Sequence, residues 1–140
     1  MKKQHVPFVL VLSLLLVAGS AFAQTISIKS NIPFSFNAGG KSMPAGQYSI
    51  KSIGTADTKT LVLRGSEPGA VMMLNSNSAD KLAPADATKL VFHVYGSEYF
   101  LSEVWVAGNS LGHQIPVSVR ERELAKGNTP QDVDVIASLR

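Results

Sequence analysis

Short apolar segments broken by turn-forming residues about every ten positions constrain this chain more than any other feature. Ala38-Gly39-Gly40-Lys41, Pro44-Ala45-Gly46, Gly65-Ser66-Glu67-Pro68-Gly69, Gly96-Ser97 and Gly108-Asn109-Ser110-Leu111-Gly112 punctuate it. Between them the apolar residues alternate, as in Ile26, Ile28, Ile32, Phe34 and Phe36, with Thr25, Lys29, Asn31, Ser35 and Asn37 on the other parity. A period of two belongs to half-buried strands. Pro33 cannot donate to a ladder, so an edge position, a bulge or a break into two short strands is expected there.

Further strands are expected at Gln47 to Lys51, Thr60 to Arg64, Ala70 to Leu74 and Asp132 to Leu139. Gly54 to Thr58 and Asn75 to Thr88 read as polar loops. The strongest element is the pair Leu90 to Tyr95 and Tyr99 to Val106, joined by Gly96-Ser97, the composition of a type II′ hairpin turn. An unbroken register from that turn sets Val94 opposite Tyr99, His93 opposite Phe100, Phe92 opposite Leu101 and Leu90 opposite Glu103. One face then carries Leu90, Phe92, Val94, Tyr99, Leu101 and Trp105. The other carries Val91, His93, Tyr95, Phe100, Ser102 and Val104. Ser118-Val119-Arg120-Glu121 fits a capping box, opening a helix of about two turns that Gly127 is placed to end. No internal repeat of fixed period is present.

The expected fold is all-β and mainly antiparallel: a single β-sandwich of about seven strands with one short helix before the last strand. The alternative is a small closed β-barrel, because a lone meander leaves exposed edges.

The segment before this pattern reads as a cleavable secretory signal peptide. Lys2 and Lys3 precede the apolar run Val6 to Ala18, and Ala21-Phe22-Ala23 offers small residues at positions −3 and −1, so cleavage is expected before Gln24. The run is short for a membrane span, which takes about 20 apolar residues. Residues 1–23 are thus assigned as signal and 24–140 as one β domain, exported to the periplasm or secreted. There is no cysteine. Disulfides, thiol chemistry, cysteine-ligated metals and a lipid anchor on cysteine are therefore excluded. The chain has 13 Lys+Arg against 10 Asp+Glu; without Lys2 and Lys3 the balance is 11 against 10. A domain so near neutral lacks the electrostatic footprint of a nucleic-acid binder.

Candidate chemistry is sparse. His93 and His113 show no metal-ligand spacing, so neither a metal nor a cofactor is expected. No Gly-x-Ser-x-Gly elbow and no phosphate-binding glycine loop occur. Glu103 is the carboxylate of interest: strand parity places it between Leu101 and Trp105 on the core face, with Arg120 and Arg122 as possible ion partners. Tyr95 and Phe100, with His93, form an aromatic surface on the mixed face. His93, Tyr95, Phe100 and Glu103 are the candidate binding residues, with no catalytic residue assigned.

Ile32-Pro33-Phe34-Ser35-Phe36, Pro44-Ala45-Gly46-Gln47-Tyr48, Lys89 to Gly96 and Tyr99 to Trp105 together resemble a group of small exported proteins from soil bacteria. The resemblance implies export and an all-β fold and supplies no site residues. The expected function is that of an exported, non-catalytic module of the cell envelope or secretome, binding a protein or a surface ligand. The alternative is a small hydrolase centred on Glu103 with His93 or His113.

Overall fold

The computed structural model describes residues 26–53 and 60–139. The signal segment, Met1–Ala23, and the polar loop at Gly54 to Thr58 lie outside these residues. The described chain forms β1 (Ser27–Ile32), β2 (Phe36–Ala38), β3 (Lys41–Met43), β4 (Gly46–Ile53), β5 (Thr60–Gly65), β6 (Val71–Asn75), β7 (Asn77–Asp80), β8 (Lys89–Tyr95), β9 (Glu98–Trp105), β10 (Leu111–Gln114), α1 (Val119–Ala125) and β11 (Gln131–Leu139). The all-β expectation is met, with eleven described strands where about seven were expected. One additional strand, β2, comes from the break at Pro33; the other three, β3, β7 and β10, are three or four residues long and sit in stretches rich in Gly, Ser and Asn, too short and polar to show an alternation. Two of them, β7 and β10, pair with one another inside segments read as loops.

Pro33 acts as a breaker. It separates β1 from β2, and β2 makes the one parallel pairing in the described sheet, Asn37 with Phe100 of β9. All other pairings are antiparallel. The strands form one sheet in the order β3-β2-β9-β8-β11-β1-β4-β5-β6, with β10 joining β9 to β7. Strand β11 is the bridge between halves: Gln131 to Ile136 register with β8, and Ala137 to Leu139 register with β1. At the far edge, the turn between β2 and β3 presses on β6. A Cβ placed on Gly39, whose φ is +56°, comes within 2.6 Å of Leu74 Cδ2. Only glycine suits both that backbone angle and that approach.

The inward residues of both halves share one core. Ile28, Ile50, Leu61, Leu63 and Leu74 meet Phe36, Leu90, Phe92, Leu101 and Val104. Phe36 lies within it, packing edge-on with Tyr48 and Phe92, while the partly buried Phe34 packs against it, stacking on Tyr99 at 3.9 Å and meeting Phe92 edge-on at 5.0 Å. Edge-to-face and offset contacts suit the ring quadrupole and add about 0.5–1.5 kcal/mol per pair beyond area burial.

The β8–β9 hairpin corrects the sequence reading. Gly96 has φ +62°, and the register runs as expected from Tyr95–Glu98 to Phe92–Leu101. It then shifts at Val91/Phe92, so that Val91 faces Glu103 and Leu90 faces Val104. A bulge inserts one residue into β9 and reverses the parity beyond it. Val104 therefore enters the main core, whereas Trp105 leaves it. Trp105, 1% exposed, packs instead with Val91 and Ala85 in a small second core, with Ala79 against it. Glu103 moves off the expected core face with it.

The indole of Trp105 lies on the backbone of β10. A Cβ on Gly112 falls within 2.6 Å of Trp105 Cε3, whereas one on Gly127 meets nothing within 4 Å. Gly112→Ala is therefore expected to lower the urea midpoint by an amount worth about 1–3 kcal/mol, the usual cost of overpacking. Gly127→Ala is the control, expected to leave the midpoint within about 1 kcal/mol. Equal midpoints for Gly112→Ala and the parent would show that the indole does not rest on β10.

Candidate functional site

The polar groups that meet lie on the regular part of the hairpin, before the bulge. The outer face of the β8–β9 hairpin carries His93, Tyr95, Phe100 and Ser102, and α1 sits over it. The helix starts as its sequence predicts: the Ser118 hydroxyl accepts from the Glu121 amide at 3.2 Å. The reciprocal half of the capping box does not form. Glu121, 4% exposed, turns down to the sheet instead.

There its Oε1 lies 2.6 Å from His93 Nδ1 and accepts from the Tyr95 hydroxyl at 3.3 Å. An ionised carboxylate can only accept, so in the neutral imidazole the proton sits on Nδ1. Nε2 is then free to accept from the Ser102 hydroxyl, 3.0 Å away. Asp132, paired in register with His93 across β11, brings Oδ1 to 3.7 Å from the same nitrogen. Phe100 packs edge-on against Tyr95 at 5.8 Å and closes the side of the cluster. Burial pushes the Tyr95 phenol above its ordinary pKa, and the Glu121 charge, the hydrogen bond to it, and Asp132 add to the shift. No buried polar side-chain atom among the described residues lacks a partner.

Three of the four candidate residues from the sequence, His93, Tyr95 and Phe100, thus converge. The fourth does not join them. Glu103 Oε2 accepts from Trp105 Nε1 at 2.6 Å, and the Lys81 ammonium sits 4.0 Å from the centre of the Trp105 ring. The expected ion partners are also elsewhere. Arg120 makes a two-pronged contact with Glu98, at 2.6 and 3.2 Å. His113 bonds to Ser76 at 3.0 Å. Sequence reasoning missed the roles of Ser102 and Glu121: alternation put Ser102 on the His93 face without marking it as a partner, and Glu121 was assigned to a cap.

Ser102, His93 and Glu121 stand in the order of a hydroxyl, a base and an orienting carboxylate, the arrangement that activates a serine nucleophile. Ser102 is only 4% exposed, however, and its carbonyl is held by the Ile115 amide at 2.7 Å. In this conformation the cluster acts as a polar brace that fixes α1 to the sheet. A carboxylate accepting two hydrogen bonds beneath a short helix is costly to remove, since hydrogen bonds to charged groups contribute about 1.5–3 kcal/mol.

A second feature is a groove of about 810 Å³ between β6 and the segment leading into α1. Met72, Met73 and Leu74 line one wall; Ile115, Val117 and Val119 line the other. Met73 is 62% exposed and Val119 69%. Strand β6 is the last in the sheet order, so its outer edge pairs with no described strand. Among the described residues no group of three or more His, Asp or Glu could hold a metal ion. No family model matches the chain, and comparison with curated proteins and with solved structures returns no match.

Glu121→Gln tests the brace. The Tyr95 phenol is expected to titrate closer to the ordinary value of about 10, but only part of the way, because burial is its first cause. Absorbance titration against Tyr95→Phe reads this. A phenol whose pKa is raised by folding contributes stability that is intact below pH about 10 and is lost as pH rises through the folded value. An unchanged Tyr95 titration in Glu121→Gln would remove the carboxylate from the account.

Proposed function

We propose that this chain is an exported, non-catalytic β module of the cell envelope or secretome that captures an extended segment of a partner protein along β6. The observation that carries the proposal is the apolar groove lying beside an unpaired strand edge. A free edge offers a row of backbone donors and acceptors to an added strand, and flanking pockets give such a strand its side-chain specificity. Contiguous exposed apolar surface of this kind marks interaction sites in monomeric proteins. Charge narrows the partner. Arg120 and Arg122 stand at the helix rim of the groove, and Arg122 enters no described ion pair. Glu123, the one rim acid, is engaged by Lys126 at 3.0 Å. The fitting segment alternates apolar residues with carboxylates.

On this reading the sheet is a barrel rather than a sandwich, left unstitched along one seam. The approach of the β2–β3 turn to Leu74 and the double pairing of β11 support that reading, and the groove is the open seam.

Selection of random peptides on the exported protein is expected to enrich sequences that alternate apolar and acidic residues, with binding reduced about tenfold or more by Met73→Glu, a loss of roughly 1.4 kcal/mol. Peptides that bind Met73→Glu as tightly as the parent would sink the proposal.

A second reading, a small hydrolase, is favoured by one observation. Its centre is then Ser102, His93 and Glu121, with Glu103 outside it. Covalent labelling of Ser102 by a fluorophosphonate, abolished in His93→Ala, would place the chain in that class; a protein left unlabelled at Ser102 would end that reading.

A further inference from the structure

We propose a second binding site, on the outward face of β1, β4 and β5, for an acidic polysaccharide. Alternation turns Ile28, Ile50, Leu61 and Leu63 into the core, so Lys29, Asn31, Gln47, Ser49, Lys51 and Arg64 face outward. The register aligns part of this set in one row. Ser138 of β11 pairs with Lys29, Lys29 with Ser49, and Ser49 with Arg64. Lys29 and Arg64 are thus two strand spacings apart, about 10 Å, with a serine hydroxyl between them. Asn31 and Gln47 form the next outward pair.

This row lines an open depression of about 560 Å³. Among the described residues its lining has two cations and no carboxylate. With Lys51 counted, the outward face of these three strands has three positive side chains and no acid. The processed chain as a whole is nearly balanced, so the cations are segregated here. Neither Lys29 nor Arg64 enters an ion pair among the described residues. Glu67, in the turn after β5, is the acid nearest Arg64 in sequence, and it lies outside the depression's lining.

The remaining lining groups say what kind of anion fits. Asn and Gln amides and Ser hydroxyls both donate and accept, which suits sugar hydroxyls. Cations held about two strands apart suit acidic groups repeated along an extended chain. Nucleic acid is disfavoured because stacking platforms are missing. Tyr48 is the one aromatic residue of the lining among the described residues, and its ring is buried in the core against Phe36, with its hydroxyl donated to the Pro44 carbonyl at 2.6 Å. The site shares no lining residue with the β6 groove.

Affinity electrophoresis of the exported protein tests the site directly. Gels containing polygalacturonate or dextran sulfate are expected to retard the protein at low salt, and which of the two retards it more distinguishes carboxylate from sulfate. Gels containing neutral dextran are expected not to. The double variant Lys29→Gln/Arg64→Gln is expected to bind about tenfold more weakly, as the loss of two exposed charge contacts predicts. Both residues are exposed, so its thermal midpoint is expected to match the parent. Lys126→Gln, which removes the cation at the C-cap of α1, is expected to keep the parent's retardation. The proposal fails if neither acidic polymer retards the protein, if neutral dextran retards it equally, or if single-stranded DNA retards it more strongly than both polymers. It also fails if the double variant keeps its retardation, or if Lys126→Gln loses as much as the double variant.

Discussion

Strand β11 hydrogen-bonds to two partners along its length, to β8 through Gln131 to Ile136 and to β1 through Ala137 to Leu139. That divided ladder joins the N-terminal strands to the C-terminal hairpin and makes one sheet of two halves. Lys89 and Asp134, 2.7 Å apart, and the Ser30 hydroxyl, donated to the Ile136 carbonyl at 3.0 Å, add side-chain contacts near the changeover. Without it, β1 and β8 would each be an open edge, and Phe34, Phe36 and Phe92 would have no common interior. A chain with no disulfide has to hold its two halves together through backbone pairing and packing, and here that pairing falls to β11.

The bulge in β9 matters almost as much. One inserted residue sends Val104 into the main core and Trp105 out to a second one, where the indole covers the backbone of β10 at Gly112. Ser102, just before the shift, keeps the outer face that alternation gives it, within reach of His93. The helix is then held from both ends of its first turn, by Ser118 at its cap and by Glu121 at the sheet. A seven-residue helix is too short to persist alone in water. It is the brace beneath Glu121 that holds α1 beside β6 and so shapes the groove.

The two proposed binding surfaces follow from opposite uses of the same alternation. In β1, β4 and β5 the exposed outward positions include Lys29, Asn31, Gln47, Lys51 and Arg64, and polar and cationic residues predominate there. At β6 the sheet ends, the outward and edge positions are Val71 and Met73, and apolar surface remains in contact with water. A protein that only needed to stay soluble would place a charge on such an edge. The two surfaces differ in chemistry, and a partner peptide and a polyanion could be held at once.

The sequence by itself determined the fold class, the hairpin turn at Gly96-Ser97, the break at Pro33, the Ser118 cap and the convergence of His93, Tyr95 and Phe100. Each rests on local rules: a period of two, a glycine with positive φ, a missing proline donor, a hydroxyl three residues before an amide. Tertiary structure decided the rest. The position of Glu103 depended on a bulge that alternation cannot reveal, because one added residue reverses parity while leaving composition unchanged. Glu121 had two competing partners, the cap amide and the His93–Tyr95 pair, and only the docking of α1 on the sheet settled the choice. Likewise the groove beside β6 and the cationic row across β1, β4 and β5 exist through pairing between strands distant in sequence, and pairing register is set by packing across the whole sheet rather than by any one segment.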